Sequence, residues 1–318
     1  MPGSTVPGKA YGDYTNYQPV NPPALAFGDT HRRHVRDPAR WQPLSYINPQ
    51  DGTIATPGFI APHWGQVKPF ALTSGDQFRP TPPEPFTAQG YLDQARFVIE
   101  VQQRLTTEQK IVAEFWADGP RSWLPPGHWC EIAGLVSREK FYTIDQDVKM
   151  FFALANAIHD AAVSTWEAKR FYDYCRPITA IRWLYDQFGL AGFSGSGFGN
   201  VEGERWRPFQ RDTFPTPPFP EYTSGHSAFS MAAAVVLKNF TGSDNFTVRH
   251  VQDMPLAAEP DISGLPVTIT WNSFSEMAFS AGESRLFGGI HFYQGNVAGL
   301  ELGRKVGEQA WTKAQSLF

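Results

Sequence analysis

The sequence predicts a mainly α protein: a helical bundle over residues 91–318, preceded by a long irregular segment, rich in proline and glycine, over residues 1–90. Two observations carry that division and a third limits its setting. Residues 1–90 are dense in Pro, Gly, Asn and aromatics, as in Pro22-Pro23, Asp51-Gly52, Pro62-His63-Trp64-Gly65 and Pro80-Thr81-Pro82-Pro83, and they show little helical periodicity. Beyond about residue 90, apolar residues recur at helical spacing between start and stop signals. No apolar run approaches the roughly 20 residues that span a bilayer, so no membrane association is expected.

Met1-Pro2-Gly3-Ser4 opens no charged region followed by an apolar core, so no secretory signal is expected and the chain reads as soluble. Trp41, Trp64 and Phe70 would form an apolar patch if left uncovered, which predicts a partner, most simply a homo-oligomer. Thr106-x-x-Gln109 is a capping box opening a helix with Ile111, Val112, Phe115 and Trp116 on one face, stopped by Asp118-Gly119-Pro120. A long helix from about Asp145 to Cys175 carries Phe151, Phe152, Leu154, Ile158, Ala161 and Ala162. Residues 215–220, with prolines at 215, 217, 218 and 220, cannot be helical, whereas residues 228–240 have the content of a buried helix. A segment near Trp271–Arg285 and a C-terminal helix through Val297–Val306 complete a bundle of roughly five or six helices.

Three stretches of this bundle carry chemistry: Lys169 with Arg176-Pro177, Ser224-Gly225-His226, and Ser284-Arg285 with His291. Together they hold cations for charge-assisted hydrogen bonds to a tetrahedral oxyanion, backbone N–H donors, and two imidazoles. Trp166, Lys169 and Arg176 share one helix face, and Pro177 disfavours a helical Arg176, which places its guanidinium at a helix C-terminal end. Ser224-Gly225-His226 falls at a helix N-terminus, where free N–H groups and the dipole favour an anion. Arg285 and His291 lie about 240° apart on an unbroken helix. Gly288-Gly289 supplies the break that lets both face one site.

In order and internal spacing these stretches resemble the K-x6-RP, SGH and SR-x5-H motifs shared by vanadium-dependent haloperoxidases and the type 2 phosphatidic acid phosphatase and bacterial acid phosphatase superfamily. The resemblance implies that family's helical-bundle fold, with residues 91–318 as the catalytic domain, and vanadate as cofactor, with phosphate able to occupy the same site. It implies that Lys169, Arg176 and Arg285 neutralise the vanadate oxygens, that Ser224 and the Gly225 N–H complete the cradle, that His291 is the metal ligand, and that His226 is the acid/base acting on hydrogen peroxide. A halide would be oxidised to a hypohalous acid equivalent and passed to a small organic acceptor.

Trp166 resembles the tryptophan lining the halide side of chloroperoxidase sites, and Phe219 stands where those enzymes carry phenylalanine. Asp118 resembles the buried carboxylate that pairs with the second arginine, here Arg285. The sequence departs from the pattern at Gly295, where the third motif usually has an aspartate orienting the histidine. That absence argues against a phosphatase and leaves Gln294 or Asn296 as candidate partners of His291.

The alternative is a soluble acid phosphatase using a phosphohistidine at His291, with His226 protonating the leaving group. A formal net charge of −4 disfavours nucleic acid as a partner. Cys130 and Cys175 lie in no zinc-like pattern. The i, i+3 pair His31 and His34 reads as a solvated basic loop, and His63, His128 and His159 as structural histidines.

Overall fold

The structure is a computed structural model that describes residues 15–26, 34–48, 51–120, 122–195 and 197–318. Met1-Pro2-Gly3-Ser4 and His31 lie outside the described residues. Near the N-terminus, β1 (Ala24–Leu25) pairs in parallel with β2 (Leu44–Ile47), which pairs antiparallel with β3 (Ile54–Ala55). The bundle follows: α1 (Gln89–Gln103), α2 (Thr107–Phe115), α3 (Leu124–Lys140), α4 (Ile144–Tyr172) and α5 (Pro177–Leu184). A hairpin of β4 (Gly189–Phe193) and β5 (Phe198–Glu202) leads to α6 (Gly225–Thr241). A second hairpin, β6 (Asn245–Gln252) and β7 (Val267–Ser273), precedes α7 (Phe274–Phe287) and α8 (Tyr293–Gln315).

The described helices thus number eight rather than five or six, and the difference has local causes. The elements expected from the sequence do not include α3; Pro125 and Pro126 occupy its first turn, where the missing N–H has no intrahelical partner to lose. Residues 271–273 end a strand instead of opening a helix; Ser273 then caps α7 through Glu276 N–H. The capping box at Thr106 and Gln109 is present as expected, and a second one at Thr143 and Gln146 opens α4.

Helices α4, α6, α7 and α8 pack around a core that includes Trp129, Leu154, Ile158, Ala232, Ala281 and Val306. One face of α8 carries glycine every fourth residue, at 295, 299, 303 and 307, which one helix face repeats. A Cβ at Gly299 would lie 2.6 Å from Ser224 O, and one at Gly303 would lie 2.9 Å from Ala228 Cα. The stripe therefore lets α8 press against the α6 backbone and sets the position of the α6 N-terminus. Gly303→Ala is expected to lower unfolding free energy by about 1–3 kcal/mol, since backbone must move to admit one methyl; urea denaturation measures it, and unchanged stability would show that the two helices separate freely.

The N-terminal segment is packed on its own chain. The Asp160 carboxylate, fully buried on α4, accepts the Phe70, Ala71 and Leu72 N–H groups at 2.6, 2.7 and 3.1 Å. Trp41 is 1% exposed, Phe70 packs edge-on against Phe152, and Trp64 against His159. Of the three aromatics that pointed to a homo-oligomer, Trp41 is thus covered within the chain and Trp64 and Phe70 are partly buried. Cys130 and Cys175 are both free thiols. No described helix is long and apolar enough to cross a membrane.

Candidate active site

The C-terminus of α4, the N-termini of α5, α6 and α8 and the C-terminus of α7 converge on one buried cluster. Lys169 stands on the last turn of α4, which Asp173 ends in the left-handed conformation at φ 49°. Aspartate tolerates that region better than most residues. The chain then reverses and Arg176 becomes the N-cap of α5, with Pro177 in its first turn. Arg176 therefore opens a helix, where the sequence suggested that it closed one. Arg285 is in the last turn of α7, Gly288 and Gly289 (φ 68°) make the turn, and His291 immediately precedes the Phe292 N-cap of α8. Lys169, Arg176, Arg285 and His291 are each 2% exposed or less.

Their hydrogen bonds divide these groups into two kinds. Lys169 Nζ donates to Pro220 O, Glu221 O and Thr223 O at 2.8, 2.9 and 2.5 Å. An ammonium has three protons, so all of them are engaged by backbone carbonyls. Burial and the Arg176 charge push this ammonium well below the usual lysine range, with the Glu221 charge opposing; three carbonyl acceptors nevertheless require three donors. Lys169 thus pins the turn before α6.

Arg176 differs. Its Nε donates to Phe219 O at 2.9 Å and its Nη1 to Ile290 O at 2.8 Å and to His291 Nε2 at 2.9 Å, while Nη2 is buried with no partner among the described residues. Arg285 Nε donates to Ser284 Oγ at 2.9 Å and Nη2 to Ala113 O at 3.0 Å. Burial lowers both guanidiniums, Arg176 to about 9, opposed by Glu221 and reinforced by Arg285, and Arg285 to about 10, opposed by Asp118. Both remain charged at neutral pH.

At the α6 N-terminus no hydrogen bond engages the Gly225 or His226 N–H among the described residues. Ser224 is the N-cap: its Oγ accepts the Ser227 N–H at 3.4 Å and lies 2.7 Å from the Ser227 hydroxyl, which also reaches Asn296 Oδ1 at 2.7 Å. Ser224 Oγ thus accepts within the helix cap, and these contacts do not use its own proton. His226 Nε2 is buried without a partner among the described residues. Burial, then the Arg285 charge, hold the His226 imidazole well below its ordinary value, against hydrogen bonds to the Trp116 and Ala117 backbone.

Around this cluster, Phe219 lies 5.0 Å from Lys169 Nζ and 5.1 Å from the Arg176 guanidinium carbon. Trp166 packs against Phe219 at 4.9 Å and donates its indole N–H to Ile60 O. Asp118 is elsewhere in the pattern than expected: its hydrogen-bond partner is His128 Nδ1, 3.1 Å from both carboxylate oxygens, and it acts on Arg285 through charge alone. His128 is accordingly tied to the cluster, which its Pro/Gly/Trp surroundings did not reveal.

Sequence reasoning also missed Glu221. Its Oε1 is 2.6 Å from His291 Nδ1 and 3.1 Å from Phe292 N, and the residue is fully buried. Burial pushes its carboxyl up to about 7, against the charges of Lys169 and Arg176. Gln294 and Asn296 do not reach His291: Gln294 accepts the Glu84 N–H and Asn296 meets Ser227.

Two buried guanidiniums, two orphaned nitrogens and a free helix N-terminus fit a tetrahedral oxyanion. A buried donor without a partner costs about 1–3 kcal/mol, and four anionic or hydroxyl oxygens would relieve several such costs at once. Among the described residues no group of three His, Cys, Asp or Glu could hold a bare metal cation. The donor set suits an oxyanion of vanadium or phosphorus, bonded at most to His291 Nε2.

Residues 149–318 match the family described as the VCPO second helical-bundle domain. No curated protein matches the chain. Among solved structures, a holo bacterial vanadium-dependent chloroperoxidase superposes with a TM-score of 0.82 over 96% of this chain and 65% of its own, at 22% identity. The apo form gives 0.84 over 96% and 67%, again at 22% identity. The first bacterial vanadium-dependent iodoperoxidase gives 0.65 over 87% and 61%, at 29% identity. The chain thus spans about two thirds of the chloroperoxidase chains it resembles, and at 22% identity those likenesses speak for the fold.

Proposed function

We propose, for a chain that belongs to the family of the VCPO second helical-bundle domain, that it is a vanadate-dependent haloperoxidase, with residues 91–318 as its catalytic domain and residues 1–90 as a wrap. The observation that carries the reading is the pair of orphaned buried nitrogens, Arg176 Nη2 and His226 Nε2, in a cluster that also holds Arg285, His291 and the free α6 N-terminus.

When bound, vanadate supplies a Lewis-acidic centre that activates hydrogen peroxide toward a halide. The residues of the chain bind it and move protons. Arg176 Nη2, Arg285 and the Gly225 and His226 N–H groups hold its oxygens. The His291 Nε2 lone pair, which accepts from Arg176 Nη1 at 2.9 Å, would serve as the protein ligand once that hydrogen bond is released. His226, kept neutral by burial and the nearby Arg285, is ready to take a proton from peroxide as general base. Trp166 and Phe219 exclude water on the side where the halide enters.

The alternative, a phosphatase with a phosphohistidine at His291, gains from one observation: Glu221 stands where the missing aspartate would act, so Gly295 no longer separates the two chemistries. It loses from another, because a general acid must carry a proton, whereas burial and the Arg285 charge favour the neutral imidazole at His226. The purified chain, loaded with orthovanadate, is expected to brominate a cyclic diketone with peroxide, to oxidise iodide, and to show at least detectable chlorination. Vanadate-free hydrolysis of p-nitrophenyl phosphate without halogenation would instead establish the phosphatase.

A further inference from the structure

We propose that Glu221 is the positioning residue of His291, and that Gly295 is glycine because the Glu221 carboxylate fills the space its side chain would need. The inference rests on the reading of His291 as the group that meets the anion. It concerns a residue that lies outside all three motifs.

The proton on His291 is fixed by its neighbours. Arg176 Nη1, 2.9 Å from Nε2, has no lone pair to offer, so Nε2 must be the acceptor. A neutral imidazole then carries its proton on Nδ1, 2.6 Å from Glu221 Oε1. The same Oε1 accepts the Phe292 N–H at 3.1 Å, which identifies it as an acceptor. Glu221 therefore selects the tautomer that leaves the Nε2 lone pair directed into the site and holds the ring plane.

The backbone of Glu221 is itself fixed on both sides. Its N–H donates to Tyr174 O at 3.0 Å, and its C=O accepts from Lys169 Nζ at 2.9 Å. The ammonium of the first motif thus locates the carboxylate that orients the histidine of the third.

Gly295 completes the argument. It lies in the first turn of α8 with no positive φ, so its backbone does not call for glycine. A Cβ there would lie 2.7 Å from Glu221 Cδ and Oε2, and closer still to Oε1. A side chain at 295 and the carboxylate of Glu221 exclude each other. One carboxylate occupies this volume, and in this chain it arrives from position 221.

The test is a reciprocal exchange, read on protein free of peroxide and halide. In protein labelled with 15N-histidine, the parent is expected to show His291 as the Nδ1–H tautomer. Glu221→Ala is expected to lose that signature and to bind orthovanadate and inorganic phosphate about 10–100-fold more weakly, the range for losing the partner of a metal-binding histidine. Gly295→Asp alone should lose at least as much. The double variant Glu221→Ala/Gly295→Asp, with the carboxylate returned from the other side, should recover the Nδ1–H signature and at least about half of the lost binding free energy on a logarithmic scale.

A Glu221→Ala protein with parental tautomer and affinity would overturn the proposal, as would a double variant no better than Glu221→Ala. Should Glu221→Ala fail to fold, Glu221→Gln keeps the shape with a weaker, neutral acceptor and must still bind at least about fivefold more weakly; parental affinity in it overturns the proposal. Should the parent bind both anions yet never halogenate, the haloperoxidase reading fails while the exchange still decides the role of Glu221.

Discussion

His291→Ala is expected to abolish halogenation, by a factor on the order of 10³ or more, the scale on which active-site groups acting as a unit are lost. The substitution removes the imidazole nitrogen proposed as the protein ligand, while Arg176 and Arg285 keep their anchors to the Phe219, Ile290 and Ala113 carbonyls. Orthovanadate should still bind, more weakly, through the guanidiniums and the α6 N-terminus. Paired measurements of diketone bromination and vanadate affinity check this. Near-parental turnover in His291→Ala would remove the ligand assignment, and unchanged affinity with lost turnover would leave His291 a role in chemistry alone.

Lys169→Met is expected to be the most destabilising single change in the site. Methionine fills a similar volume but leaves the Pro220, Glu221 and Thr223 carbonyls without their donor. At about 1–3 kcal/mol for each buried unpaired carbonyl, the loss is about 3–9 kcal/mol, comparable with the whole stability of an ordinary domain. Urea or thermal unfolding should therefore show a large drop or no folded state. A Lys169→Met protein with parental stability and much weaker vanadate binding would mean that the ammonium meets the anion directly.

That outcome for Lys169 illustrates how far the sequence was legible. The three motifs lie at chain turns fixed by local rules: Pro177 in a first helical turn, Ser224 as N-cap, Gly288-Gly289 as a break. Their convergence followed from spacing, and the structure brings Lys169, Arg176, Gly225, His226, Arg285 and His291 together. What spacing does not encode is how each polar group divides its bonds, because the carbonyls that engage Lys169 come from a turn about fifty residues downstream, and Ser224 Oγ accepts from Ser227. Asp118 is diverted in the same way, to His128 ten residues on.

Glu221 was missed because its partner His291 is 70 residues away. Two signals were present: a charged residue among the prolines and aromatics before Ser224, and a glycine at 295 where a carboxylate belongs. Read jointly, they say that the carboxylate has moved. The anchoring of the N-terminal segment was illegible for a similar reason, since the acceptor that orders residues 70–72 is a single carboxylate, Asp160, on α4. Alternation in β6 and β7 was legible in principle but is interrupted by polar residues on both faces.

The central claim is that Arg176, Arg285, the α6 N-terminus and His291 form one oxyanion site with His291 Nε2 as its protein ligand. A crystal structure of the chain soaked in orthovanadate tests it most directly. The account predicts density for vanadate bonded to His291 Nε2, with Arg176 Nη2 and the Gly225 N–H on its oxygens, Arg176 Nη1 released from the imidazole, and Lys169 still on its three carbonyls. Vanadate bound elsewhere, or held in this cluster while His291 Nε2 keeps its hydrogen bond to Arg176, would contradict it.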